Sequence, residues 1–109
     1  MAFDEGLAER IREVLGDRGG VVEKKMFGGL AFLLNGHMFI GISGENLMAR
    51  VGVDGYELAL HRPHVRVMDF TGKPMKGYVY VDTDGYESDD SLRFWVNVCV
   101  EFVESLPPK

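Results

Sequence analysis

The sequence predicts an α+β domain with the element order α-β-β-β-α-β-β-α, and three observations carry that expectation. Two apolar runs, Gly29–Leu34 and His37–Ser43, flank Asn35-Gly36, a dipeptide suited to a two-residue hairpin turn because both central residues must take positive φ. Apolar residues at helical spacing open the chain and close it. The 109 residues suffice for one hydrophobic core but not two, so a single domain over 1–109 is expected.

The first helix runs from about Asp4 to Leu15. Leu7, Ile11, Val14 and Leu15 share one face, Asp4 caps the start, and Gly16 with Gly19-Gly20 ends it. Val21–Lys25 then leads into the first strand as its opening part. Gly28-Gly29 inside an apolar strand points to a bulge or a close backbone approach. After the hairpin, Ser43–Asn46 turns into a third strand, Leu47–Val51. A short second helix covers about Val53 to Leu60, and Pro63 prevents its continuation. Val65–Asp69 reads as a short extended segment, Phe70–Gly77 as a loop, and Gly77–Asp82 as a strand alternating Tyr78 and Tyr80 with Val79 and Val81. Asp82–Ser88 reads as a polar connection. The last helix starts near Ser88-Asp89-Asp90, where acidic groups suit the positive end of the helix dipole, and runs to about Ser105. Its core stripe is Leu92, Trp95, Val96, Cys99, Val100 and Val103.

The hairpin turn implies a register: Leu34 opposite His37, Leu33 opposite Met38, Phe32 opposite Phe39, Ala31 opposite Ile40. One face then carries Leu30, Phe32, Leu34 and Phe39, the other Ala31, Leu33, Met38, Ile40 and Ile42. A hairpin wet on one side alternates apolar and polar residues. Both faces here are apolar, so both are expected to be covered, the second either by a partner or by curling of the sheet or the loop around Phe70 and Met75 folding over it.

A content of 46% hydrophobic and 27% charged residues places the chain among soluble globular proteins rather than disordered ones. No apolar run approaches the roughly 20 residues of a membrane helix, and the acidic start does not suit a secretory signal, so a cytoplasmic location is expected. One cysteine, Cys99, excludes an internal disulfide. The net charge of −5 divides into −2 over residues 1–20, +2 over 21–81 and −5 over 82–109. Direct nucleic-acid binding calls for a concentrated basic face, which this balance argues against.

At Met26-Phe27-Gly28-Gly29 the chain resembles the N-terminal domain family of the TfoX/Sxy competence regulators. The likeness continues through the Asn35-Gly36 hairpin, Leu47–Val51, Asp69–Tyr78 and Trp95. The resemblance implies three helices packed on a five-stranded antiparallel sheet, similar to the type III secretion chaperone-like fold. Two-domain members carry a second, helical domain; with Lys109 as its last residue, this chain is expected to be a single-domain member. The family supplies no catalytic residues to transfer, and a fold does not by itself confer an activity.

Candidate sites are few. His61 and His64 have an H-x-x-H spacing, with His37 and Asp69 as distant partners, but a metal site needs three or four ligands. The glycines do not form a phosphate loop, since Gly72-Lys73 is followed by Pro74. No nucleophile, base and orienting group can be connected. No catalytic residue, metal or cofactor is therefore assigned. The expected function is a non-catalytic protein-interaction or regulatory module acting as a homodimer, with Phe32, Phe39, Met38 and Ile40 as its contact surface. The alternative is a small-molecule or anion-binding protein, or an enzyme, with a pocket between the sheet and the 70–77 loop, where Arg50, Lys73 and Lys76 supply charge.

Overall fold

The computed structural model describes residues 4–26, 28–70 and 73–107. Helix α1 (Glu5–Leu15) begins where the Asp4 carboxylate accepts from the Leu7 amide at 3.1 Å, and it ends at Gly16 with φ 58°. Four strands follow: β1 (Val21–Met26), β2 (Gly29–Leu34), β3 (His37–Ser43) and β4 (Asn46–Arg50). Helix α2 (Val53–Leu60) crosses to the edge strand β5 (Val65–Phe70), which returns through β6 (Lys73–Val81). A single turn, α3 (Thr83–Tyr86), leads to α4 (Asp89–Glu104), whose N-cap Ser88 hydroxyl accepts from the Ser91 amide at 3.1 Å.

The strands form one open sheet of six, all pairs antiparallel, in the order β1-β2-β3-β4-β6-β5. That is one strand and one helix more than expected from sequence. The added strand is β1, which pairs with β2 from Val21↔Leu34 to Met26↔Gly29 instead of running into it. Gly28, at φ 74°, lies in the reversal between them. Gly29 is held by contact: a Cβ there would meet the Ile42 carbonyl oxygen at 2.0 Å. The added helix is α3, in the stretch read as a polar connection. The expected loop over residues 70–77 is largely strand, because β6 begins at Lys73; Thr71 and Gly72 lie outside the described residues.

The β2–β3 hairpin departs from its expected register after two pairs. Leu34↔His37 and Leu33↔Met38 hold, but the next pairs are Phe32↔Ile40 and Ala31↔Gly41, so Phe39 is an extra residue in a β-bulge. A bulge breaks the strict alternation of faces, and Phe39 and Ile40 both join the main core with Phe32. The sheet then carries one apolar row Leu30–Ile42–Leu47–Val81 and a second row Phe32–Ile40–Ala49–Val79. The opposite face carries Lys24, Ala31, Gly41, Met48, Tyr80 and Arg66 in one line across all six strands.

The helices pack against the first face. Helix α4 lies on β2, β3 and β4, α2 on β5 and β6, and α1 against α4. Leu92, Trp95, Val96, Cys99, Val100 and Val103 are all buried, as the sequence stripe predicts. The Trp95 indole N–H donates to the Gly85 carbonyl at 3.2 Å and the Tyr86 hydroxyl donates to the Glu45 carbonyl at 2.6 Å, so the polar ends of both rings are satisfied. If Gly29 is required for the close approach of β2 and β3, Gly29→Ala must displace backbone. Urea unfolding should then show a loss of about 2 kcal/mol, whereas an unchanged midpoint would mean the strands do not meet so closely.

Candidate functional site

The residues expected to form an interaction surface lie mostly inside the molecule. Phe32, Phe39 and Ile40 are each 0% exposed, beneath the helices, and Met38 is half-buried. Of the expected anion-binding residues, Arg50 is half-buried, with its guanidinium carbon 5.5 Å from the Tyr78 ring centroid and 5.3 Å from that of Phe102. It also donates to the Met38 carbonyl at 3.3 Å. Lys76 is exposed, and the Lys73 side chain lies outside those described. The three histidines are dispersed. A ring nitrogen of His37 lies 2.7 Å from the Pro107 carbonyl and one of His61 lies 2.7 Å from the Glu57 carbonyl. His64 takes φ 65°, and its carbonyl accepts from the Asp82 amide. The described residues contain no group of three or more His, Cys, Asp or Glu placed to hold a metal ion, and the Asp69 side chain is outside them.

Shifted ionisations trace to structural roles. Arg12 donates to both Glu23 oxygens, at 2.8 and 2.6 Å, joining α1 to β1; this raises the arginine and lowers the glutamate. Glu9 shares the same guanidinium. Arg66 holds Asp82 below its ordinary value in the same way, with Nε and Nη2 at 2.9 and 2.7 Å from one carboxylate oxygen. Burial raises Tyr86 and pushes the Cys99 thiol up to about 12, so Cys99 is an unreactive core residue.

The open apolar surface is on the helical layer. A groove of about 370 Å³ runs between α2 and α4. Gly55, Leu58 and Ala59 line it from α2, Phe94, Trp95 and Val98 from α4, with Val51 between them. Arg62, just past α2, is its one charged lining residue among those described; its guanidinium lies 3.9 Å from the Phe94 centroid and 5.7 Å from that of Trp95. Of the lining residues Leu58 is 76% exposed and Phe94 37%, so the groove edge is apolar and open to water. A second cavity, about 300 Å³, lies between α1 and α4 and is bordered by Arg10, Glu13, Asp89 and Arg93. Two of these are tied into the fold, since Arg10 donates to the Glu87 carbonyl at 2.8 Å and pairs with Asp89 at 3.4 Å.

The sequence model of the TfoX N-terminal domain matches residues 13–103, which takes in every strand, α2, α3 and most of α4. The chain belongs to the TfoX N-terminal domain family. No curated protein matches it. In this TfoX N-terminal domain the motif Met26–Gly29 that carries the family likeness falls at the β1–β2 reversal, and its glycines serve backbone geometry. Among the described residues, no helix is long and apolar enough to cross a membrane.

Sequence reasoning passed over the groove. Arg62 reads only as a spacer between two histidines, and Leu58 as a routine helix residue. Phe94 offered the available signal, since it is a large apolar residue off the core stripe of α4.

The Arg12–Glu23 pair has a defined pH signature. A carboxylate held below its ordinary value of 4.5 adds stability above that value and loses it as pH falls through the folded value. The pair is solvent-screened and small, about 0.5 kcal/mol. Glu23→Gln should therefore melt below the wild type at pH 7, with the gap closing below about pH 4 in thermal denaturation. A gap constant with pH would assign the loss to something other than this carboxylate.

Proposed function

We propose that this domain is a non-catalytic protein-interaction module that acts in regulation as a homodimer. The observation that carries the reading is the α2–α4 groove with exposed Leu58 and Phe94 in its lining. Scattered apolar side chains on a surface need no explanation, but an apolar groove with exposed aliphatic and aromatic residues beside it is the form of a protein-contact site.

The distribution of shifted ionisable groups supports the same reading. Enzymes gather perturbed groups around a cavity. Here Glu23, Asp82 and Tyr86 are each shifted by a structural partner or by burial, and Cys99 by burial in the core. None of them lines the groove. Its lining instead combines aliphatic and aromatic walls with one stacked arginine, residue types favoured at interface centres.

Size-exclusion chromatography with light scattering tests the assembly. The expected mass is twice the 12.2 kDa of one chain at tens of micromolar. A single species of 12.2 kDa at that concentration would remove the homodimer from the account.

A further inference from the structure

The contact between copies can be located, given the self-association read above. A two-fold dimer uses the same patch on both subunits, so that patch must be complementary to itself. Among the described residues, the patch around the α2–α4 groove has this property. The groove offers apolar walls and a single cation, Arg62, stacked on Phe94. Beside it the outer face of α2 offers the converse: exposed Leu58 flanked by exposed Asp54 and Glu57. Among the described residues, neither of these carboxylates nor Arg62 takes part in an ion pair.

Helical geometry keeps the two halves distinct. Gly55, Leu58, Ala59 and Arg62 follow i, i+3, i+4, i+7 and so form the groove side of α2. Asp54 and Glu57 lie on the neighbouring strip, on the far side of Leu58. Leu58 is therefore both groove wall and projecting knob, as an isologous contact between two helices requires. Gly55, on the groove side, lets another helix come close.

We propose that the homodimer forms by mutual insertion of α2. Leu58 of each copy enters the α2–α4 groove of the other, and the α2 carboxylates reach the Arg62 guanidinium across the two-fold axis. The most exposed apolar side chain of α2 is covered and three unpaired charges find partners. Other surfaces are less suited. On the opposite sheet face Ala31 and Met48 are each 1% exposed, and the row they occupy ends in Lys24 and Arg66 at the two edges. Edge strands bearing charges resist pairing with a second sheet.

The test is charge reversal in the full chain, read by light scattering and sedimentation. Arg62→Glu and the pair Asp54→Arg/Glu57→Arg should each raise the dimer dissociation constant by about tenfold or more. Their combination in one chain should restore association toward wild type. Leu58→Glu should also weaken it by at least about tenfold. All the sites are exposed, so unchanged circular dichroism and melting will confirm folding. A wild-type dimer whose association none of these variants alters would overturn this contact and leave self-association standing. Failure of the combined variant to regain association would overturn the pairing with Arg62. A wild type that is monomeric at tens of micromolar overturns the self-association reading itself.

Discussion

Helix α4 lies across β2, β3 and β4, and the position of the other elements depends on that packing. Its stripe, from Leu92 to Val103, meets a sheet face built from Phe32, Phe39, Ile40, Ile42, Leu47, Ala49, Val79 and Val81. Each large side chain buried there contributes about 1.5–3 kcal/mol relative to exposure. No surface ion pair among the described residues approaches that scale. The bulge at Phe39 adds to the same interface by placing two consecutive residues of β3 in the core. Helix α1 and the turn α3 then close around α4, and α2 lies beside it, leaving the groove between them.

The opposite face of the sheet follows other rules. Its central row is small or flexible: Ala31, Gly41, then Met48, whose methyl group lies over Gly41 at 2.6 Å from where a Cβ would be. Toward one edge the row becomes amphipathic, with the Arg66 guanidinium 5.4 Å from the Tyr80 ring centroid. The face reads as apolar in sequence because alanine, glycine and methionine carry no charge. In space its centre is buried, with Met48 and Ala31 each 1% exposed, while Val22 on the edge strand β1 is 54% exposed. On the helical layer the exposed large apolar residues are Val53 and Leu58 on α2 and Phe94 on α4.

Much of the fold was legible in the sequence because it rests on short-range chemistry. The Asn35-Gly36 turn, the Asp4 and Ser88 caps and the α4 stripe each depend on residues within a few positions of one another. The misses depend on long-range pairing. The turn fixes the first two hairpin pairs, but the insertion of Phe39 is set by what α4 needs beneath it. Val21–Met26 becomes a strand of its own because the chain reverses at Gly28; the close backbone approach the sequence points to at Gly28-Gly29 is found at Gly29, but that Ile42 is what it meets is a long-range fact. Phe32, Phe39 and Ile40 look like an unfilled surface only while the helix that covers them is not in place. The site was less legible still: Arg62 and Phe94 are distant in sequence, and no local pattern reports that they stack.

The proposed contact surface is on the helical side, on the strip from α2 to α4, whereas the centre of the opposite sheet face is buried, with Ala31 and Met48 each 1% exposed. Amide chemical shifts followed over a dilution series from millimolar to micromolar protein test this most directly. Concentration-dependent shifts are expected to be confined to residues 53–62 of α2 and its following turn, and 94–98 of α4, with β1 and the Ala31–Met48 row unmoved. Shifts concentrated on β1, β5 or the Ala31–Met48 row, with α2 unchanged, would contradict it.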